Sequence, residues 1–409
     1  MKTKQNTKPF YKTEIPSDWE VIKLGSLTDL TAGGTPSTRV EDYWNGDIRW
    51  MSSGELNLKK VYEVEGRITK KGLENSSTKL LPVHCILIGL AGQGKTRGTI
   101  AMNMVPLCTN QSVAAIYPNE IFQEEFIYYN LDSRYDEIRQ MSTGDGGRGG
   151  LNLKILKSIK IPLPPLPEQK AIAAVLGKMD QLIKANKSLT TQKEAHKKWL
   201  MQQLLTGKKR LKGFEGEWKE VHIKEIANEV SIKNKEDKQL TVLSCTKYDG
   251  LVPSLEYFGR KIYSDNLKPY KIVLKNHFAY ATNHIEEGSI GYQDKLEEAL
   301  ISPMYTIFKT DDTVNDTYFY KLLKSHRMVA EYGARTEGSI DRRGGLRWSA
   351  FAIIKLKIPS YEEQTAIAQV LQTTDKEIAL LQTKTEQLQQ QKKGLMQVLL
   401  TGQKRLKIK

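Results

Sequence analysis

The chain has 409 residues and a formal net charge of +15, with 62 Lys and Arg residues against 47 Asp and Glu residues. This length allows two or more domains, and basic residues along the whole chain favour nucleic acid over a membrane as partner, although a solubilising surface would carry similar charge. No apolar run approaches the about 18 residues of a membrane span, and the opening "MKTKQNTKPFYKTEIP" is polar, so we expect a soluble cytoplasmic protein without a signal peptide. Three scattered cysteines without a CxxC pair argue against a disulfide framework and a zinc knuckle, and we expect them to be buried apolar residues: Cys85, Cys108 and Cys245.

Two segments near the start of the chain predict a small core and a polar turn. Trp19 is followed by apolar residues that we expect to pack together: Ile22, Leu24 and Leu27. The segment "GGTPSTRVEDYW" places a proline at the corner of a predicted turn. Two interpretations of this segment stay open, a plain turn followed by Tyr43 and Trp44 in the core, or a DNA contact through Thr35, Ser37 and Arg39.

The segment "GLAGQGKT", at residues 89–96, has the spacing of a phosphate-binding loop. An apolar run at residues 85–88 predicts the strand that such a loop needs, but no helix pattern follows it. The next segment, "RGTIAMNMVPL", alternates in the manner of a strand, with Ile100, Met102 and Met104 on one face. No apolar strand ending in Asp follows to hold magnesium, so we predict a turn that does not bind ATP.

The elements that follow occur twice in the same order. A strand ("SVAAIY", then "MYTIF") precedes an aromatic helix ("EEFIYYNLDSRYDEIRQM", then "NDTYFYKLLKSHRMVAEY"), and a loop rich in glycine and arginine ends at Leu151 and at Leu346. The pattern that begins at Trp19 returns in the second half as Trp218, Val221, Ile223 and Ile226. The modules between these landmarks share little sequence, which predicts two different readers on one repeated frame.

The strongest repeat aligns residues 168–212 with 363–407, and 24 of these 45 positions are identical. Each copy begins after a stretch with proline and runs about 38 residues to a Thr-Gly stop, which predicts a helix of roughly 55 Å. One heptad stripe per copy predicts an intramolecular coiled coil with a leftover apolar face for a partner subunit. The stripes are Ile172, Val175, Met179, Leu182, Asn186 and Leu189, and Ile367, Val370, Leu381, Leu388, Leu395 and Val398. We expect partner contacts at Ile172, Leu176, Leu200, Leu204, Ile367, Leu371, Leu395 and Leu399.

These motifs resemble the specificity subunits of type I restriction-modification enzymes. The resemblance rests on "IPLPPLPEQKAIAAVLGKMD" and "LLTGKKRLK", on their second copies "IPSYEEQTAIAQVLQTTD" and "LLTGQKRLK", and on "GGTPSTRVEDYWNGDIRWMSSGEL", and it covers essentially the whole chain. It implies α/β (α+β) modules in a pseudo-twofold repeat, separated by two long antiparallel helices that form a coiled coil. The corresponding segments are 1–160 and 213–357 for two target recognition domains, and 161–212 and 358–409 for the helices.

The resemblance also implies a function and a set of partners. Each domain would read one half of a bipartite duplex DNA target with a nonspecific spacer, and the helices would bind two methyltransferase subunits. Those partners, with separate restriction and translocase subunits, would carry out adenine methylation or cleavage. They would also hold S-adenosylmethionine, ATP and Mg, so that this chain needs no cofactor.

Similarity to the family's first domain implies that the glycine turn faces DNA. The resemblance implies contacts from Lys95, Thr96 and Arg97, with Asn110 and Gln111 suited to adenine edges. The corresponding part of the second module offers Asn283, His284, Glu286 and Ser289, where Glu286 is suited to a cytosine amino group. The arginines of the glycine loops would clamp phosphates: Arg148, Arg342 and Arg343. For each of these residues a solvated turn is the alternative.

Catalytic motifs are missing from the sequence. The single Pro-Pro lies in "PLPPLP" rather than after the Asn or Asp of an amino-methyltransferase, and no Pro-Asp begins a metal-dependent nuclease motif. The six histidines share no ligand spacing. We therefore predict a non-catalytic DNA reader and scaffold without catalytic residues or a metal site. A coiled-coil adaptor whose modules bind protein or RNA is the alternative, and a self-contained methylating enzyme is disfavoured.

Overall fold

The first module is built around a five-stranded sheet. In the computed structural model, the described residues are 15–92, 94–142, 150–337 and 345–407. The strands of this module are β1 (Glu20–Lys23), β2 (Leu30–Ala32), β3 (Trp44–Met51), β4 (Lys60–Val61), β5 (Arg67–Ile68), β6 (Ile86–Gly89), β7 (Ile100–Asn103), β8 (Cys108–Thr109), β9 (Val113–Ile116) and β10 (Lys160–Leu163). The helices are α1 (Leu24–Leu27), α2 (Lys70–Glu74), α3 (Glu124–Asp132), α4 (Tyr135–Gln140) and α5 (Leu153–Ser158), followed by the long helix α6 (Leu166–Leu204). The large sheet has the order β2-β9-β6-β7-β4, a smaller sheet has the order β5-β3-β8, and β1 pairs with β10.

Both faces of the large sheet are covered, which accounts for its continuously apolar strands. Ile86 and Ile88 of β6 belong to a core that also contains Phe126 of α3 and Trp19. Leu87, which points to the opposite face, belongs to a separate core. The predicted strands at residues 85–88 and in "SVAAIY" are therefore confirmed, as is the small core at the start of the module.

The second module contains a four-stranded and a five-stranded sheet. Its strands are β11 (Lys219–His222), β12 (Ala227–Val230), β13 (Ile232–Lys233), β14 (Val242–Thr246), β15 (Gly250–Pro253), β16 (Lys271–Leu274), β17 (His277–Ala281), β18 (Ile290–Gln293), β19 (Glu298–Ile301), β20 (Tyr305–Thr310) and β21 (Lys355–Ile358). Its helices are α7 (Ile223–Ile226), α8 (Ser254–Phe258), α9 (Asp316–Leu323), α10 (His326–Glu337) and α11 (Trp348–Ala352), and the long helix α12 (Tyr361–Leu399) follows. The sheets have the orders β12-β20-β17-β18 and β13-β16-β19-β14-β15, and β11 pairs with β21.

The cysteines are free thiols, two of them buried as expected. Burial raises the pKa of Cys85 to about 12 and that of Cys108 to about 11. Cys245 is only partly exposed, and burial of its thiol raises its pKa to about 12 as well. Thiols held protonated in this way are poor nucleophiles and poor metal ligands, so they act as apolar residues.

Each predicted aromatic helix is two helices, which corrects the sequence prediction. In the first module α3 ends at Asp132 and α4 begins at Tyr135, and in the second module α9 and α10 are separated in the same way. The backbone of Arg134 leaves helical geometry (φ −108°, ψ 24°), and its buried guanidinium donates to the carbonyl of Lys160 at 2.8 Å. Apolar periodicity does not detect a two-residue break that tertiary hydrogen bonds stabilise.

The long helices α6 and α12 have 39 residues each and end at the predicted stops, where Gly207 and Gly402 have φ of +71° and +73°. Contacts divide the chain into two compact units, Met1–Lys187 with Thr383–Lys409, and Ser188–Gln382. Each unit thus holds one module and a part of both long helices. The boundaries of the four consecutive segments, 1–160, 161–212, 213–357 and 358–409, stay a prediction. Within the described ranges, no helix is long and apolar enough to cross a membrane.

The two long helices run antiparallel within each unit, because residues early in one contact residues late in the other. In the first unit Lys392 pairs with Asp180 at 2.6 Å. In the second unit Lys197 pairs with Asp375 at 2.5 Å. Lys197 and Lys392 occupy equivalent positions in the repeat, as do Asp180 and Asp375. The lysine of each copy therefore pairs with the aspartate of the other copy. The predicted antiparallel coiled coil is confirmed.

The contact seam departs from the predicted heptad stripe. Leu182 and Leu189 are each 43% exposed, whereas Leu176 is buried. Asn186 is buried in the seam and donates to Thr385 Oγ1 at 2.8 Å. In each heptad, one of the two seam positions therefore lies one residue later than predicted. Apolar residues three or four apart both lie on one face of a helix, and only packing against the partner helix decides which spacing forms the seam.

Burial corrects the prediction for most of the residues expected to bind partners, whereas the contacts of Leu200 and Leu395 stay a prediction. Six of the eight are buried in the core of their own unit: Ile172, Leu176, Leu204, Ile367, Leu371 and Leu399. The remaining two, Leu200 and Leu395, are half-buried against the same cores. These side chains stabilise the chain itself, and their burial leaves little surface for a second protein.

The repeated Glu-Gln motif at the start of each long helix has a structural explanation. Glu168 is 1% exposed, and both of its oxygens accept hydrogen bonds from the guanidinium of Arg405 at 2.6 Å. Glu363 is buried to the same extent, and Arg210 donates to it at 2.5 and 2.6 Å. Each arginine follows the Thr-Gly stop of one copy and binds the glutamate of the other, which raises the pKa of both guanidinium groups.

The neighbouring glutamine connects each long helix to the aromatic helix of its module. Gln169 accepts a hydrogen bond from the backbone of Gln123, the residue before α3, at 2.9 Å. Gln364 accepts in the same way from the backbone of Asn315, the residue before α9, at 2.8 Å. These bonds satisfy an N–H group at each helix start and align the module with the frame.

We expect Arg405→Ala to lower the free energy of unfolding by about 2 kcal/mol or more, because it leaves the buried carboxylate of Glu168 without its guanidinium. Lys404→Ala is the matched control, since that neighbouring side chain is exposed. Urea denaturation of the variants measures the difference. Adding Glu168→Gln to Arg405→Ala should recover part of the loss, and equal stability of Arg405→Ala and Lys404→Ala would contradict this account.

Candidate nucleic-acid interface

The structure brings the "GGTPSTR" segment together with the Thr-Asn-Gln element of the first module. Thr35 Oγ1 donates a hydrogen bond to Gln111 Oε1. The backbone N–H of Gly34 donates to the carbonyl of Thr109 at 2.9 Å, and a Cβ on Gly33 would overlap that same residue. This close backbone approach explains the glycine pair. Three of the predicted DNA-binding residues are exposed along this segment: Thr35, Ser37 and Arg39.

Two tryptophans donate hydrogen bonds to the backbone of the "GGTPSTR" segment. Trp50 Nε1 donates to the carbonyl of Gly34 at 2.9 Å, and Trp44 Nε1 donates to the carbonyl of Ser37 at 3.1 Å. The two rings meet edge to face with centroids 5.1 Å apart. Trp44 is half-buried, so it braces the segment rather than lying in a core as one interpretation of the sequence expected.

The glycine turn at residues 89–96 lacks the helix of a phosphate-binding loop, as predicted. The described chain after Thr96 continues through a turn into β7. The turn packs on α4, because Arg139 donates to the carbonyl of Gly94 at 2.7 Å and the hydroxyl of Tyr135 donates to that of Lys95 at 3.1 Å. Gln93 lies outside the described residues. The Lys95 side chain is exposed, where it can contact a phosphate.

One predicted contact of the first module, Arg97, is corrected by burial, whereas that of Asn110 stays a prediction. Arg97 is only 7% exposed and donates to Ser142 Oγ at 3.0 Å, so its guanidinium is not on the surface of the turn. Asn110 is half-buried, and its side-chain oxygen accepts from the backbone of Ser112 at 3.1 Å. Gln111 is exposed, and Thr96 is half-buried.

In the second module the corresponding turn follows β17. Asn283 and His284 are exposed and Glu286 is half-buried, but Ser289 is only 6% exposed and is corrected to a buried residue. His284, Glu286 and Glu287 place possible ligand atoms within 4.8 Å of one another. Histidine spacing in the sequence does not indicate this group, because two of its members are carboxylates.

The two turns are anchored by the same backbone hydrogen bond. Leu151, at the end of the first glycine loop, donates its N–H to the carbonyl of Leu90 at 2.9 Å. Leu346, at the end of the second loop, donates to the carbonyl of Thr282 at 2.9 Å. Each glycine loop therefore ends beside the turn of its own module. The arginines predicted to clamp phosphates lie outside the described residues: Arg148, Arg342 and Arg343.

Comparison with known proteins identifies the family. Residues 16–195 and 215–390 each match the Type I restriction modification DNA specificity domain. The chain belongs to this family. It is 26% identical to the type I restriction enzyme MjaVIII specificity subunit of Methanocaldococcus jannaschii, over 98% of this chain and 97% of that protein.

Two solved structures share the fold of this specificity subunit. The S subunit of the type I restriction-modification system from M. genitalium has a TM-score of 0.55 and 16% identity, covering 94% of this chain and 96% of that one. A chain from a structure concerned with complex assembly and conformational transition of the type I R-M system has a TM-score of 0.60 and 15% identity, covering 95% and 99%. The predicted family and fold class are confirmed.

As a specificity subunit of a type I restriction-modification system, the chain determines DNA target recognition and is itself non-catalytic. Two matching domains in one chain agree with the internal repeat that the sequence shows. The comparisons do not test which residues touch DNA, so the exposed residues of the two turns stay a prediction.

We expect Lys95→Ala to weaken DNA binding by the assembled complex and to lower the slope of log affinity against log salt concentration by about one unit, because one phosphate contact is lost. Lys95→Arg is the matched control, since it keeps the charge and should keep the slope. Titrations at several salt concentrations measure both quantities. ATP turnover per complex on bound DNA should stay unchanged, and tight ATP binding by the purified chain that Lys95→Ala abolishes would show a nucleotide site instead.

Proposed function

We propose that each module reads one half of a bipartite duplex DNA target, with a nonspecific spacer set by the long helices. The observation that carries this proposal is the identical anchoring of two chemically different turns. The carbonyls of Leu90 and Thr282 accept equivalent backbone hydrogen bonds, each of 2.9 Å, from the residues that end the two glycine loops. A constant scaffold with unlike side chains is what two independent half-sites require.

The side chains of the two turns suit different DNA groups. The first module offers Lys95 for a phosphate and Gln111 for an adenine edge. The second module offers His284 and the carboxylate of Glu286, which accepts hydrogen bonds from a cytosine amino group. The predicted contacts therefore differ in charge and in hydrogen-bonding pattern, and they support recognition of two different half-sites.

Partner subunits complete the proposed function. We propose that two methyltransferase subunits and the restriction and translocase subunits assemble with this chain in the cytoplasm. They would hold S-adenosylmethionine, ATP and Mg, and carry out adenine methylation or restriction. Exposed apolar side chains on the long helices support docking, and they replace the buried residues predicted from sequence: Leu182 in the first unit, and Leu189, Trp199 and Leu380 in the second.

Replacing residues 1–160 with the corresponding module of another specificity subunit should change one half-site and leave the other unchanged. The exchanged segment should keep Asp18 and Trp19, because these residues bind Arg405 and Glu168 of the frame. Mapping of methylated adenines gives the result, and exchange of residues 213–357 is the reciprocal control. Simultaneous change of both half-sites would contradict independent reading.

Inserting four residues after Lys187 and four after Gln382 should lengthen the spacer of the target without changing its half-sites. These points are the boundaries between the two compact units. Each insertion adds about 6 Å and about 400° of helix, a net rotation near 40°. One base pair adds about 3.4 Å and roughly 35°, so the rotation fits one added base pair and the rise lies between one and two.

Sequencing of methylated sites decides this prediction. An insertion in only one helix is the control, and it should weaken assembly with the methyltransferase because the antiparallel seam loses its register. A fully active double-insertion variant with an unchanged spacer would rule out the role of the helices as a ruler.

A further inference from the structure

The tip of one hairpin in the second module presents an aromatic side chain on a firmly held backbone. Strands β14 and β15 pair up to Thr246 and Gly250, which leaves residues 247–249 as the tip. Tyr248 is 80% exposed, more than any other large hydrophobic residue in the described chain. The tip is held by a hydrogen bond from the backbone of Asp249 to Thr246 Oγ1 at 2.9 Å, and Tyr257 donates to the carboxylate of Asp249 at 2.9 Å.

Lys324 connects this tip to the turn that we propose for DNA contact. Its ammonium group, beside the end of α9, donates to the carbonyl of Lys247 at 2.5 Å and to the carbonyl of Gly288 at 2.8 Å. Burial lowers the pKa of Lys324, so this group is a partly desolvated donor rather than a surface charge. Tyr248 and Glu287 line one common groove of about 420 Å³ with Lys324.

The first module has a related connection at the equivalent position. Asp132, which ends α3, pairs with Lys59 at 2.7 Å. The neighbouring Leu58 is 51% exposed. In both modules the end of the aromatic helix therefore holds a loop that carries an exposed apolar side chain, although the chemistry of the connection differs.

We propose that Tyr248 is a DNA-binding residue that stacks on a base of the half-site read by the second module, and that Lys324 is its positioning residue. The inference rests on the proposed function, because it requires the neighbouring turn to face DNA. Because the bases of a duplex already stack on one another, this contact requires a partly unstacked base step, and an exposed aromatic ring on an ordered tip is suited to fill it. The ammonium group of Lys247 lies 5.6 Å from the ring centroid and supplies a cation for the adjacent phosphate.

The test uses the assembled methyltransferase complex and its cognate duplex. Tyr248→Ala should lower the affinity roughly 5- to 100-fold, the effect of one aromatic–base stack, without changing the salt slope, since no charge is removed. Tyr248→Phe should keep most of the affinity, and Lys247→Ala should lower the salt slope by about one unit. Tyr361→Ala is the matched control, because Tyr361 is an exposed tyrosine of the same unit that does not line the groove.

Lys324 is tested through its coupling to Tyr248. Lys324→Met should weaken binding at the same half-site, and Tyr248→Ala should then cost little more, because the tip is already released. Lys324→Arg retains donors and should restore part of the affinity. Additive effects of the two substitutions would overturn the positioning role, and thermal unfolding of each variant identifies a loss that comes from misfolding.

The outcomes separate this inference from the proposed function. Unchanged affinity and methylation in Tyr248→Ala would overturn the stacking contact, and weaker methyltransferase assembly with unchanged DNA affinity would overturn it in favour of a protein interface. If the exchange of residues 1–160 still changes one half-site, only the role of Tyr248 fails. If that exchange changes neither half-site, the proposed function fails as well.

Discussion

The frame depends on two buried carboxylates that need a cation. Glu168 and Glu363 are each 1% exposed, and a buried charge is costly unless it is paired and hydrogen-bonded. Arg405 and Arg210 satisfy this requirement, and each of them comes from the copy of the repeat that does not contain its glutamate. The start of each long helix is thereby tied to the segment that follows the end of the other.

A short path of hydrogen bonds leads from this frame to the predicted DNA surface. Next to the buried Glu168, Gln169 binds the residue before α3, and α4 then supports the glycine turn through Arg139. In the second module the path runs through Gln364 to α9, and Lys324 beyond that helix binds the turn. The frame places the turns without using their side chains, so the turns are able to differ while the frame repeats.

This separation suits the function of a specificity subunit. Residues that hold the fold occur twice, as with the buried carboxylates of Glu168 and Glu363 and the ion pairs of Asp180 and Asp375 on the long helices. Residues that we propose for recognition, such as Lys95 and His284, are exposed and have no counterpart in the other module. A change in the second group alters which base edge is bound, whereas a change in the first group destabilises the whole chain.

The sequence by itself determined the internal repeat, the two long helices with their glycine stops, the strands around residues 85–88 and 113–117, and the missing helix after Thr96. These features follow from local spacing and from turn chemistry, which neighbouring residues decide. The tertiary structure alone decided the break at Arg134, the exposure of Leu182, and the burial of Arg97 and Ser289. It also decided which arginine binds which glutamate. Each of these depends on a partner distant in the sequence, and a single helix or turn is compatible with several such partners.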